Sequence, residues 1–191
     1  DGSDELFAGY PTLTAHRIFL IYQKLFPKIF RAKVFQKLAQ FLPTSFDNIS
    51  FDFKLKRFLD GEGRSLLERH HCWLGSFTDQ EKKLLLKKEL HPASENSFEP
   101  AFQHSKNCFA KNDLNQILYN DLKMYLEGDI LFKVDRASMA NSLEVRVPFL
   151  NGRVLDEALK MHLDFKLKRL TGKYLLKKMM APFLPQEIIN R

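Results

Sequence analysis

Only two cysteines, Cys72 and Cys108, occur in the 191 residues. Two thiols cannot build a disulfide framework, so a reducing cytoplasm is the expected compartment. No apolar run approaches the ~20 residues that a membrane-spanning helix requires, and no secretory leader is visible. No membrane partner is therefore expected. There is a single Trp against 18 Phe, which predicts a core built on phenylalanine. Repeats, Gly-Ser linkers and low-complexity tracts are missing, and nothing in the composition marks an internal domain boundary. The 45% apolar and 28% charged residues are those of an ordinary globular chain rather than a disordered one.

Acidic residues are absent from Leu6 to Phe46. Between Lys160 and Lys178 seven Lys or Arg face Asp164 alone. The net charge of +7 suits an anionic partner, either nucleic acid or a polyphosphate. For the first stretch the preferred reading is a solvated basic helix face. The chain opens with Asp, inside what reads as a functional loop, and is expected to be a piece of a longer protein.

Helical periodicity runs through nearly all of it. Ile18, Ile21, Tyr22 and Leu25 form one apolar stripe, and Phe30, Val34, Leu38 and Phe41 another, with Pro27 and Pro43 as breaks. Thr78-Asp79-Gln80-Glu81 has the pattern of a capping box ahead of an amphipathic run to about Leu90. His91 to Pro100 reads as a loop. Leu114, Ile117, Leu118, Leu122 and Tyr125 predict a helix that Gly128 interrupts, with a second from Asp129 to about Ala140. Gly152–Met161 and Thr171–Met180 predict two more, the last stopped by Pro182 and Pro185. Phe51-Asp52-Phe53-Lys54-Leu55 alternates weakly as a strand would. The fold class expected is mostly α.

Three stretches could carry chemistry. Asp1-Gly2-Ser3-Asp4-Glu5 puts three carboxylates in five positions, with Gly2 free for a tight turn and Ser3 or Asp4 able to cap a helix. Such a helix start suits a Mg2+–phosphate site, and Asp and Ser are also common caps with no ligand at all. Lys133 to Leu150 mixes five charges with Met, Val, Leu and Phe, which predicts charges held and paired in a partly buried pocket; a surface helix with salt bridges has the same spacing. Gly172-Lys173 at a helix start can bring one ammonium to phosphate oxygens. The full phosphate-loop pattern Gly-x-x-x-x-Gly-Lys-Ser/Thr is not present. His70-His71-Cys72 lacks a second ligand pair at zinc spacing. His16, His91, His104 and His162 are scattered and read as surface residues.

Together, the stretches Asp-Gly-Ser-Asp-Glu-Leu-Phe-Ala-Gly-Tyr, Lys-Val-Asp-Arg-Ala-Ser-Met-Ala-Asn-Ser-Leu-Glu-Val-Arg-Val-Pro-Phe-Leu and Gly-Lys-Tyr-Leu-Leu-Lys-Lys resemble, in order, three motifs of the asparagine synthetase family (glutamine-hydrolysing type). The middle, roughly Phe51–Ser105, resembles it only weakly. The resemblance implies that residues 1–191 are the helical C-terminal part of an α/β ATP-pyrophosphatase (adenine nucleotide α-hydrolase-like) domain. A Ser-Gly-Gly-x-Asp-Ser phosphate loop and a glutaminase domain with an N-terminal cysteine would lie upstream. It implies activation of a carboxylate, aspartate or another acid on a peptide or cell-surface sugar, by ATP and Mg2+, followed by attack of ammonia drawn from glutamine. Asp1 matches the acid that deprotonates ammonia, Asp4 the Mg2+–pyrophosphate ligand, and Lys173 the lysine that neutralises pyrophosphate. Arg136, Glu144 and Arg146 become charges of the substrate pocket or its scaffold. Asn151 stands where the family usually has Asp. The chain alone is expected to be inactive. The rival class, a basic helical module binding RNA or another anion, is disfavoured by the ordered motifs, so no nucleic-acid partner is expected.

Overall fold

The computed structural model of the chain describes residues 1–27, 31, 51–75, 77, 79–91 and 98–189. In chain order the α-helices are α1 (Ser3–Phe7), α2 (Pro11–Leu25), α3 (Phe51–Asp60), α4 (Leu66–Leu74), α5 (Asp79–Leu85), α6 (Glu99–Lys106), α7 (Asp113–Asn120), α8 (Phe132–Met139), α9 (Gly152–Lys160), α10 (Leu163–Lys166), α11 (Tyr174–Met180) and α12 (Gln186–Ile189). Among the described residues there is no strand, only an isolated antiparallel bridge between Lys168 and Thr171. None of their helices is long and apolar enough to cross a membrane. The mostly helical expectation therefore holds for these residues. The weak alternation at Phe51–Leu55 belongs to α3. The stripe at Phe30–Phe41, Pro43, Thr78 of the expected capping box and residues 92–97 lie outside the described residues. Glu99 and Pro100, expected in a loop, form the first turn of α6, where proline's missing N–H leaves no bond unmade.

The chain forms two compact units, Ala15–Gln103 and Asp1–Thr14 with His104–Arg191. Both crossings fall inside helices, α2 and α6, so no linker composition marks them.

In the first unit Phe19, Tyr22 and Leu59 form the core, with Leu55, Phe58 and Trp73 packed against it. Phe58 and Trp73 stack with ring centroids 5.7 Å apart. The helical stripe of α2 is correct in period and, Tyr22 apart, shifted in phase. Ile18, Ile21 and Leu25 are exposed, and the buried face runs through Leu13, His16, Phe19 and Tyr22. Among the described residues a capping box forms at Ser65–Glu68, at the start of α4. Ser65 Oγ accepts from the Glu68 amide, and Glu68 Oε2 accepts from the Ser65 amide.

His16 is buried rather than at the surface. Its Nδ1 accepts from Arg69 Nε at 3.4 Å, and its Nε2 lies 3.4 Å from His70 Nδ1. Arg69 in turn sits over the Phe19 ring, 4.3 Å from its centroid. Burial first, then the charges of His70 and Arg69, pushes the imidazole from 6.5 down to about 2. The folded state therefore refuses a proton that the unfolded chain takes up below about pH 6. Unfolding free energy should fall by about 1.4 kcal/mol per pH unit through that range. Denaturation followed by Trp73, whose ring lies 4.5 Å from that of His16, checks this. His16→Gln should flatten the pH dependence between neutral pH and about pH 5; an unchanged slope would contradict it.

In the second unit α7, a π-helix over Asp121–Leu131 and α8 follow one another without a break. Gly128 does not interrupt the segment as expected. The wider i→i+5 turn carries the chain through it, and Gly128 has open space where a side chain would stand. Leu114, Ile117, Leu118 and Leu126 are buried along this segment. The expected phenylalanine core is only partly realised: Phe7 and Phe19 are buried, whereas Phe53, Phe77, Phe109, Phe132, Phe165 and Phe183 are exposed. Asn151 caps α9, its side chain accepting from the Arg153 amide at 3.1 Å. Asn and Asp are comparable N-caps, so the departure at this position keeps the cap.

Candidate active site

The site begins at Gly2, whose φ of 87° is left-handed. The cap of α1 is this glycine, not Ser3 or Asp4 as expected, because both of those residues are already inside the helix. A side chain at Gly2 would also meet Leu150 Cδ2 at 2.9 Å. Glycine is thus required by conformation and by close packing together. Asp1, just before the turn, is exposed. The helix lasts five residues and ends at Ala8, itself left-handed at φ 58°, with the Gly9 amide donating to the Asp4 carbonyl at 2.9 Å. Leu6 and Phe7 are buried while Asp4 remains partly accessible.

The three sequence motifs meet around this helix. Leu6, Phe7 and Ala158 form a core with Phe149, Leu150 and Leu176 packed on it. Phe149 meets Phe7 edge-on, with centroids 6.1 Å apart. From the third motif, the Lys173 amide donates to the Phe7 carbonyl at 2.9 Å. A Cβ on Gly172 would overlap the Ala8 carbonyl oxygen, and one on Gly9 would overlap both Asp4 Oδ1 and Lys173 Cε. These two glycines let the turn before α11 press against the end of α1. The helix starts at Tyr174 and not at Thr171 as expected. Lys173 precedes it at φ 52°, a left-handed conformation unfavourable for a residue with a Cβ.

That turn delivers Lys173 Nζ to Asp4 Oδ2 at 2.9 Å, a contact between residues 169 apart in sequence. Ser3 Oγ adds a longer bond to the same oxygen at 3.4 Å. The side chains of Lys173 and Asp4 are 29% and 35% exposed. The pair is therefore partly desolvated yet open to a ligand from one side.

Arg136, Glu144 and Arg146 are not part of this cluster. All three are exposed. Glu144 pairs with Arg146, and Arg136 lies over the Phe132 ring at 5.1 Å. After α8 the chain leaves through a turn, with Ser142 at φ 57°, into an irregular segment before Pro148. Met139, Leu143 and Val145 are exposed alongside the charges, so a mixed composition did not imply burial. The half-buried end of this motif is Phe149-Leu150.

Glu5 stood out in the sequence only as one of three neighbouring carboxylates, and Tyr10 did not stand out at all. Glu5 is buried and accepts from the Tyr10 hydroxyl. Burial, then that bond to Glu5, raises the phenol far above its ordinary value. Tyr10 packs edge-on against Tyr125, with centroids 5.5 Å apart. The spacing Glu5-x-x-x-x-Tyr10 carries no recognisable signal.

A divalent cation would find the partly accessible Asp4, with Asp1 three residues before it, and no cluster of three His, Cys, Asp or Glu exists among the described residues. That donor set fits Mg2+, which commonly keeps several waters and is bound through one or two carboxylates plus substrate phosphates.

A family model described as asparagine synthase matches residues 1–191. Asparagine synthetase [glutamine-hydrolyzing] 1 of Bacillus subtilis is 31% identical over 199 residues, covering 100% of this chain and 28% of that protein. A putative asparagine synthetase [glutamine-hydrolyzing] of Mycobacterium tuberculosis is 29% identical over 198 residues, with the same coverage. One from Methanocaldococcus jannaschii is 36% identical over 63 residues, 33% of this chain and 11% of that protein. The chain spans 28% of the length of the first two relatives. No solved structure matches it. By the family match over its whole length, the chain belongs to the asparagine synthase family.

Proposed function

We propose that the full-length protein is an ATP-dependent, amide-forming ligase and that this chain supplies the pyrophosphate side of its site. The observation that carries the proposal is the Asp4–Lys173 pair, held by Gly9 and Gly172 at the junction of the three motifs. A carboxylate of the substrate, aspartate by the relatives' names, attacks the α-phosphorus of ATP. The bond to the β-phosphate oxygen breaks and pyrophosphate leaves. Lys173 meets the charge that develops on the leaving pyrophosphate, which an ammonium can contact directly. Asp4 would hold Mg2+, which offsets the polyanion's charge when bound. Ammonia then attacks the acyl carbon, AMP leaves, and Asp1 accepts the proton lost by the nitrogen.

The relatives' names describe glutamine hydrolysis, so glutamine is the proposed nitrogen donor and a glutaminase domain of the same protein the proposed partner. The ATP-pyrophosphatase fold is the proposed architecture, and the cytoplasm the proposed compartment. Arg136, Glu144 and Arg146 remain proposed substrate-pocket or scaffold charges of the full-length protein. With aspartate, glutamine and Mg-ATP, the full-length protein should release AMP, pyrophosphate and asparagine in equal amounts. ADP and inorganic phosphate as products would overturn adenylation. Turnover of a different carboxylate would change the substrate and keep the chemistry.

A further inference from the structure

Glu5 is a buried acid that the proposed chemistry leaves idle. It is 1% exposed, and it follows the partly accessible Asp4 in α1. The helix thus leaves one carboxylate open to a ligand and buries the next. A buried carboxylate is costly unless it is bonded, and apolar side chains often fill such a place at less cost. Glu5 Oε1 accepts from the Tyr10 hydroxyl, while Oε2 has no hydrogen-bond partner among the described residues. The Tyr10 ring meets Tyr125 of the π-helix edge-on, with centroids 5.5 Å apart. The ring is held at its side and the hydroxyl at its tip.

This bond spans the end of α1. Between Glu5 and Tyr10 lie the left-handed Ala8 and then Gly9, whose amide donates to the Asp4 carbonyl at 2.9 Å. A Cβ on Gly9 would overlap Asp4 Oδ1 and Lys173 Cε, so this turn touches both members of the ion pair. In the same span the Phe7 carbonyl accepts from the Lys173 amide, and the Ala8 carbonyl oxygen packs against Gly172. Residues 5–10 are therefore the wall on which the backbone and the stem of Lys173 rest. We infer that Glu5 and Tyr10 are positioning residues for the Asp4–Lys173 pair, their bond closing the chain over the Ala8–Gly9 turn that seats both side chains. The inference rests on the proposed role of that pair at pyrophosphate. The Asp4 charge is among those that raise the Tyr10 phenol above its ordinary value, after burial and Glu5 itself. The hydroxyl thus keeps its proton, and the bond its donor, at neutral pH.

Pyrophosphate release by the full-length protein, measured well below each variant's thermal midpoint, tests this. Tyr10→Phe keeps the ring on Tyr125 and removes the hydroxyl. Its kcat should fall about 10–100-fold, the loss expected of a slightly misplaced catalytic group, with KM for ATP within about twofold of wild type. Glu5→Gln keeps an acceptor for the hydroxyl and should stay within about threefold of wild type. Glu5→Leu has no acceptor and should be as slow as Tyr10→Phe. In a Lys173→Met protein, adding Tyr10→Phe should slow release by no more than about threefold further, because the pair it orients is already broken. A merely structural bond would lower the thermal midpoint and leave kcat at the wild-type level, or would slow both backgrounds by the same factor. Either result overturns the inference, and so does a Glu5→Gln protein as slow as Glu5→Leu. A wild-type protein that releases no pyrophosphate overturns the ligase reading and this inference with it. Wild-type release with an unaffected Tyr10→Phe overturns the positioning role alone.

Discussion

Replacing Lys173 by Ala in the full-length protein should cut pyrophosphate release by about 10²–10³, the loss typical of removing one donor from a developing anion. The fold should suffer less. What holds the turn is the Lys173 backbone amide on the Phe7 carbonyl and the fit of Gly172 under Ala8, neither of which needs the ammonium. The lost ion pair with Asp4 is part-exposed, and such pairs contribute about 0–1 kcal/mol. Lys173→Arg should rescue poorly. The guanidinium is a wider planar fork, and Gly9 lies so close to the lysine stem that a bulkier head has little room. Pyrophosphate release and the thermal midpoint, measured on the same preparations, separate the two effects. A Lys173→Ala protein that keeps near-normal release would reduce the lysine to a surface charge.

The effect at Asp1 should be as large and fall on the other half-reaction. Asp1→Asn keeps the shape of the side chain and removes its ability to take a proton. Adenylate should still form at close to the wild-type rate, and amide formation should slow by about 10²–10⁴. If Asp1 only shapes the turn, its replacement should cost about 1 kcal/mol of stability and neither chemical step. Single-turnover assays that follow the adenylate and the amide separately distinguish the alternatives. An unchanged amide step removes Asp1 from the mechanism.

The sequence made local periodicity legible. Leu114, Ile117 and Leu118 are buried as their spacing requires, and Gly152 opens a helix as read. It did not make phase legible where a polar residue belongs to the core. His16 counts as polar in any apolar pattern, so the stripe of α2 reads as Ile18, Ile21, Tyr22 and Leu25, of which only Tyr22 is buried. It did not reveal the π-helix over Asp121–Leu131 either, because Gly128 lowers helical propensity in a strictly α-helical reading. At the candidate site the residue types Asp4, Gly172 and Lys173 stood out. Their meeting did not, since the contact spans 169 residues and depends on two glycines that a one-dimensional pattern cannot pair. The exposed Arg136, Glu144 and Arg146 illustrate the converse. Charges among apolar neighbours read as a pocket, whereas Met139, Leu143 and Val145 beside them are exposed as well.

The central claim is that Asp4 and Lys173 act as one unit on pyrophosphate. A double-mutant cycle on pyrophosphate release in the full-length protein, with Asp4→Asn, Lys173→Met and both together, measures this directly. Residues that act as a unit are strongly non-additive. The account predicts that the double variant is slowed no more than about threefold beyond the worse single variant. Two independent losses multiplying in full, with the double variant slowed by the product of the single effects, would contradict it.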